Sequence, residues 1–273
     1  MKKFEGMLFC TDLDGTLYAS DKTVSKQNMD AIEYFKSEGG LFTFITGRPS
    51  KITTDIYNIV HPNAPYGCFN GGAIYDAETD EYLWNLQVAG DVFELIDCVD
   101  KAFPEIGIQI NTLREIYFNK DNNVLQRFRR VTHFGEKFSR YEDMSEPIAK
   151  IVFAHDKEEQ IQALMKLLHE HPKASEFGFI RSEHSLYEIL PKDASKGAAL
   201  LKMAEILHID PAKTIAAGDY NNDISMIRAA GIGFAVSNAV PEVKDAADHV
   251  IVSNNEHAIA VIIDGLDRGI YKL

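Results

Sequence analysis

Asp12 and Asp14 stand two residues apart and run at once into Gly15-Thr16. Ahead of them lies the apolar run Met7-Leu8-Phe9-Cys10, which reads as a buried strand. Two carboxylates at a strand end, followed by a Gly-Thr turn, suit metal-assisted chemistry on a phosphate. Asp12 can act as a nucleophile, as carboxylates do in aspartyl-phosphate enzymes. Asp14, redirected where the chain turns at Gly15, can act as general acid and then as general base. Taken alone, Asp-Leu-Asp reads equally as an acidic surface turn.

Three pieces downstream add weight. Thr46-Gly47-Arg48-Pro49 follows a second apolar run, Leu41-Phe42-Thr43-Phe44-Ile45. There a hydroxyl and free backbone N–H groups can hold phosphate oxygens, aided by the dipole of a following helix. The alternative is that Thr46 only caps that helix. Lys196 falls in the first turn of a helix predicted over 194–208, where the dipole disfavours a cation. A bound anion would offset the repulsion; the alternative is a solvated surface lysine. Gly218-Asp219-Tyr220-Asn221-Asn222-Asp223 follows a strand predicted over 214–217. Asp12, Asp14, Thr46 and Asp219 all lie at the C-terminal ends of predicted parallel strands, the edge where open α/β sheets bind ligands. Carboxylates converging there would repel one another without a cation, and hard oxygen donors favour Mg²⁺ over zinc. The nine histidines are scattered and form no competing ligand cluster.

The elements that must position these residues fall into two patterns. Ser25 is a good N-cap for a helix with Met29, Ile32 and Phe35 on one face, ended by Gly39-Gly40. Pro49 suits the first turn of the next helix, with Ile52, Ile56, Ile59 and Val60 as its buried stripe. A hairpin is expected from 73–76 and 82–86, after Asn70-Gly71-Gly72. This βαβαβ order is the first half of a doubly wound parallel sheet. Between 88 and 187 the order becomes αββ-αβ-αββ, an α+β module inserted at turns near Ala89-Gly90 and Pro191-Lys192. The parallel fold then resumes to the end. The expected division is therefore a Rossmann-like α/β core of 1–87 and 188–273, with an inserted α+β domain of 88–187.

Composition narrows the function. The 273 residues are 45% hydrophobic and 25% charged, ordinary for a globular protein. A net charge of −13 argues against a nucleic-acid binder, which needs a basic face. The short basic patch Arg127-Phe128-Arg129-Arg130 reads as a solvated helix face. No stretch approaches the ~20 apolar residues of a membrane span, and the run before Asp12 is too short for a signal peptide. Cys10, Cys68 and Cys98 are odd in number and widely spaced, which fits small buried residues in a reducing, cytoplasmic setting. Nothing in the sequence bears on oligomeric state.

On Asp12-Leu13-Asp14-Gly15-Thr16, Thr46-Gly47-Arg48, Ser195-Lys196-Gly197 and Gly218 to Asp223, the chain resembles the haloacid dehalogenase-like hydrolase superfamily. Within it the likeness is to the Cof-type phosphatases with a type-IIB cap. The resemblance implies that Asp12 is the phosphorylated nucleophile and Asp14 the acid/base. It implies phosphate binding by Thr46, Gly47, Lys196 and Asn222, and Mg²⁺ held by Asp12, Asp14 and Asp219, with Asp223 supporting that shell. Asn222 reaches either phosphate or metal. Asn70-Gly71-Gly72 resembles the Asn-Gly-Ala of this family, departing at Gly72. The 34 residues from Asp12 to Thr46 leave no room for a cap, whereas the 150 from Thr46 to Lys196 do. A cap there would act as a lid that selects substrate and excludes water.

The expected activity is Mg²⁺-dependent hydrolysis of phosphate monoesters of small metabolites: sugar phosphates, nucleotides or cofactor phosphates. The rival enzyme is a phosphomutase or phosphotransferase using the same aspartyl-phosphate. The rival outside catalysis is a phosphate-ligand sensor that keeps the fold.

Overall fold

A computed structural model describes residues 2–89, 91–132 and 137–273. Gly90, half of the turn expected at the first crossing, lies outside the described residues. In chain order the elements begin with β1 (Leu8–Thr11), α1 (Lys26–Ser37), β2 (Leu41–Phe44), α2 (Thr54–Val60), β3 (Tyr66–Cys68), β4 (Ala73–Asp76) and β5 (Glu81–Asn85). There follow α3 (Val92–Ala102), β6 (Gly107–Thr112), β7 (Ile116–Lys120), α4 (Asn123–Thr132), β8 (Ile148–Ala154), α5 (Glu158–Glu170), β9 (Phe177–Glu183) and β10 (Leu186–Pro191). The chain closes with α6 (Lys196–Ile206), β11 (Thr214–Gly218), α7 (Ile224–Ala229), β12 (Ile232–Val236), α8 (Pro241–Ala246), β13 (His249–Ile251) and α9 (Ala258–Asp267).

Contacts divide the chain into two units. The first comprises Met1–Arg48, Thr53–Asn85 and Ser195–Leu273. Its main sheet runs β13-β12-β11-β1-β2 with every pair parallel. β1 is buried on both faces, which is why its sequence is a continuous apolar run rather than an alternation. Leu8 and Cys10 pack with Leu200 and Met203 of α6, while Phe9 turns the other way onto Phe35 of α1. α1 starts where expected: Ser25 Oγ accepts the Asn28 N–H at 3.2 Å. β3, β4 and β5 form a small antiparallel sheet, which includes the expected hairpin.

The helix after β2 departs from expectation. Pro49 opens a 3₁₀ turn over Ser50–Ile52, and α2 begins only at Thr54. Ile52 therefore precedes the helix, Ile59 is exposed, and only Ile56 and Val60, one turn apart, face inward.

The second unit comprises Pro49–Ile52 and Leu86–Ala194. Its antiparallel sheet has the order β7-β6-β8-β10-β9, and the element order matches the α+β pattern read from the sequence. Ile108, Ile110, Ile151, Phe153, Tyr187 and Ile189 share one core with Leu95, Val99, Ile161 and Leu164 of α3 and α5. β10 pairs with β9 up to Pro191 and this unit ends at Ala194; a division at 187–188 would cut the strand. No helix among the described residues is long and apolar enough to cross a membrane.

Candidate active site

β1 ends at Thr11 in register with Ala217 of β11 and Phe44 of β2. The Asp12 N–H still bonds Ala217 O at 2.9 Å, which extends the ladder by one residue and fixes the direction in which Asp12 leaves the sheet. The loop from Leu13 to Leu17 then turns tightly, and Gly15 takes a φ of +85°. A Cβ at Gly15 would stand 2.3 Å from Asp219 Oδ2, so only glycine lets the loop approach β11 this closely.

Lys196 is the first residue of α6 and is fully buried. Its Nζ lies 2.5 Å from Asp12 Oδ1 and 2.6 Å from Asp223 Oδ1. The anion that offsets its awkward place at a helix start is thus a pair of carboxylates of the protein itself, and the surface-lysine reading is ruled out. Gly71, at a φ of +86°, would put a Cβ 2.0 Å from Ser195 O. The Asn-Gly-Gly turn therefore packs directly against the start of α6 and locates Lys196.

Asp223 is held on its other oxygen. Oδ2 accepts the N–H groups of Asp219 and Tyr220 at 2.9 and 3.0 Å. Asp219 Oδ1 accepts the Thr16 hydroxyl at 2.9 Å. Oxygens of Asp12, Asp219 and Asp223 all lie within 4.8 Å of one another. Burial pushes the Asp12 carboxyl well above its ordinary range, with Asp223 and Asp219 adding to the rise and Lys196 opposing it. Burial, and then Asp223, push the Asp219 carboxyl up to about 7. Burial would pull the Lys196 ammonium down, but Asp12 and Asp223 hold it above its usual value. A single lysine thus leaves this group short of positive charge, and the donors are all hard oxygens. That set fits a divalent cation of the Mg²⁺ class. Asp12 and Asp219 are the available donors, because Asp223 is engaged on both oxygens.

Asp14 is placed differently from the expected metal ligand. Its carboxylate is outside the three-aspartate group and pairs with Arg48 at 2.7 Å and Lys22 at 2.8 Å. Burial would raise its pKa, but these two cations hold it below the ordinary carboxylate value.

Thr46 and Gly47 lie just beyond the end of β2, the strand that pairs with β1. The Thr46 hydroxyl accepts the Arg48 N–H at 3.2 Å, and Thr46 O accepts the Asn70 N–H at 3.0 Å. Because a 3₁₀ turn follows, the helix-dipole argument for this corner does not hold; the hydroxyl remains, while the Thr46 N–H is bonded to Gly67 O at 3.0 Å. Asn222 Nδ2 donates to Asn70 Oδ1 at 2.9 Å, which ties the fourth motif to this corner. Sequence reasoning missed Arg48, Lys22 and the Thr16 bond to Asp219. Arg48 was signalled by its place within a motif, but Lys22 carried no signal.

The family model for haloacid dehalogenase-like hydrolases matches residues 9–263. The 5-amino-6-(5-phospho-D-ribitylamino)uracil phosphatase YwtE of Bacillus subtilis is 29% identical, over 95% of this chain and 98% of its own. A haloacid dehalogenase-like hydrolase from Bacteroides thetaiotaomicron superposes with a TM-score of 0.80 at 25% identity, covering 94% of this chain and 98% of its own. A HAD subclass IIB sugar phosphatase superposes with a TM-score of 0.84 at 20% identity, covering 97% of this chain and 100% of its own, a likeness of fold. With the motifs assembled on one sheet edge and the match running nearly end to end, the chain belongs to the haloacid dehalogenase-like hydrolases and is a phosphoric monoester hydrolase with the subclass IIB fold.

Proposed function

We propose that this enzyme hydrolyses phosphate monoesters of small metabolites through an aspartyl-phosphate on Asp12, with Mg²⁺ as its cofactor. The observation that carries the reading is the buried chain Asp12–Lys196–Asp223 beside Asp219, at the C-terminal edge of the parallel sheet. Polyol and sugar phosphates lead the candidates, because the YwtE relative is named for a phosphorylated ribityl compound.

In the first step an Asp12 oxygen attacks phosphorus and the bond from phosphorus to the ester oxygen breaks. The bonding pair stays on that oxygen, which takes a proton from the Asp14 carboxyl. In the second step the Asp14 carboxylate takes a proton from water, whose oxygen attacks phosphorus. The acyl-phosphate bond breaks, restoring the Asp12 carboxylate and releasing inorganic phosphate. Thr46, Gly47 N–H and Lys196 neutralise charge on the phosphoryl oxygens, Asn222 orients the phosphate corner through Asn70, and Asp223 fixes Lys196. When bound, the divalent cation adds positive charge against those same oxygens; Asp12 and Asp219 would hold it. Arg48 and Lys22 hold Asp14 ionised, the form that takes the proton from water in the second step; to give a proton in the first step its carboxyl must be protonated and leave these cations.

The inserted unit supplies none of these groups, and we assign it the choice of leaving group. A cytoplasmic setting agrees with Cys10 and Cys68 as buried thiols. The test is Asp12→Asn, assayed for phosphate release from an aryl phosphate and for acid-stable ³²P labelling of the quenched enzyme. Both signals should vanish; undiminished release in the variant would refute the covalent route.

A further inference from the structure

The loop from Asp12 to Ser20 carries both carboxylates of the first motif, and its backbone is held by residues from the far end of the chain. Asn238 follows β12, and its Nδ2 donates to Gly15 O at 2.8 Å. Asn254 follows β13, and its Nδ2 donates to Tyr18 O at 2.9 Å. Asn255 takes Ser20 twice: its Oδ1 accepts the Ser20 N–H at 2.9 Å and its Nδ2 donates to Ser20 Oγ at 3.0 Å. These asparagines are neutral and lie outside all four motifs.

They are also tied to one another and to their own turns. Asn238 Oδ1 accepts the Asn254 N–H at 2.9 Å, so a single amide joins the β12 loop, the β13 loop and the first motif. An amide can donate and accept at once, whereas a carboxylate only accepts. The Asn238 turn is closed by Ala239 N–H to Val236 O at 2.9 Å, and Ser237 N–H bonds Val252 O at 3.2 Å. Asn254 and Asn255 sit in a capped turn, where Ser253 Oγ accepts the Asn255 N–H at 3.2 Å and Ser253 N–H donates to Glu256 Oε2 at 3.1 Å.

The same turn reaches Asp219. Two residues past Asn238, the Val240 N–H donates to Asp219 O at 3.0 Å. One short segment thus holds Gly15 with a side chain and Asp219 with its backbone. Those are the two sides of the approach at which a Cβ on Gly15 would stand 2.3 Å from Asp219 Oδ2. The Thr16 hydroxyl on Asp219 Oδ1 closes the ring from the other side.

We propose that Asn238, supported by Asn254, is a positioning residue that sets the distance between the nucleophile loop and Asp219, and so keeps Asp12 and Asp14 in reacting geometry. The proposal rests on reading those two aspartates as the reacting carboxylates. The ring is made of protein groups alone and stands whatever occupies the site. Asn238 carries the larger share, because its one amide serves three segments. Thr46 and Lys196, which the same reading assigns to phosphate, lie on other segments, so loss of the staple should spare substrate binding and slow the chemistry.

The test compares native protein with N238A and N238D, first by hydrogen exchange without metal and then by kinetics on p-nitrophenyl phosphate. Asn238 is exposed, so neither change disturbs a core. N238D keeps the shape of the side chain but turns an acceptor toward Gly15 O. In both variants the amides of 13–20 should exchange at least ~10-fold faster, while β1 and β12 keep native rates. Their kcat should fall by ~10–100-fold, the scale of a misplacement near 1 Å, with KM little changed. A packing role alone would leave N238D native-like. Native exchange over 13–20 in both variants, or native kcat despite faster exchange, would overturn the proposal. Undiminished turnover by D12N would instead refute the reading beneath it, and is recognisable because it leaves the exchange pattern of N238A unaltered.

Discussion

Lys196 Nζ stands 2.5 Å from Asp12 Oδ1 inside the protein, with the Lys196 side chain fully buried. Asp223 completes the pairing from the far side at 2.6 Å. Replacing the lysine by methionine keeps the bulk but leaves two buried carboxylates without their cation. Breaking a buried pair by removing one partner costs about 3–5 kcal/mol. Lys196→Met should therefore lower the thermal midpoint and abolish phosphate release, read by calorimetry and a colorimetric phosphate assay. A variant with native stability and turnover would show that this pairing carries neither.

Removal of divalent cation should act through Asp219. In the metal-free protein its carboxyl rises from 3.8 to about 7, through burial first and Asp223 second. The folded state then holds a proton that the unfolded chain has already lost. This group's contribution to stability is full below about pH 4 and is lost as pH rises through about 7. A cation binds the ionised form, so its stabilisation grows in the opposite direction. EDTA should abolish turnover, and added Mg²⁺ should raise the thermal midpoint more at pH 8 than at pH 5.5. An equal shift at both pH values would separate Asp219 from the cation.

How much of this was legible beforehand depends on where the signal sits. β1 and β2 were readable because strands buried on both faces are written as unbroken apolar runs. Lys196 stood out because a cation in a helix's first turn is electrostatically misplaced. The pairing of Asp14 with Arg48 was not legible because the two are 34 residues apart and meet only once β2 lies beside β1. The start of α2 was misplaced because Pro49 is equally compatible with a 3₁₀ turn. That turn sends Pro49–Ile52 to the second unit, a division that no local pattern encodes.

Gly15→Ala tests the close approach of the first loop to β11. The new Cβ would meet Asp219 Oδ2 at 2.3 Å, and alanine disfavours a φ of +85°. Divalent-cation affinity should fall by ~10–100-fold, the range seen when a ligand's surroundings are disturbed. Isothermal titration with Mg²⁺ reads this directly, and native affinity in the variant would show that the loop relaxes freely.

In the second unit, Lys150 on β8 and Glu188 on β10 pair at 2.9 Å, both nearly fully buried. The Ser182 hydroxyl also donates to Glu188, at 2.5 Å. Glu188→Leu should destabilise this unit by about 3–5 kcal/mol by leaving the Lys150 ammonium without that carboxylate. Hydrogen exchange should show the loss in β8 and β10 while β1 and β11 keep native protection. Unchanged exchange in β8 would count against the pair as a stabilising feature.

The sheet order has a consequence for biosynthesis. β1 is a central strand, yet one of its two neighbours is β11, and Asp12 meets Lys196 across 184 residues of chain. A ribosome making this protein releases the nucleophile 184 residues before its buried counter-ion. Until β11 emerges, β1 has one flank unpaired, an open template for wrong strand pairing. The nascent chain therefore needs protection until then, and products truncated before β11 should precipitate rather than hydrolyse anything.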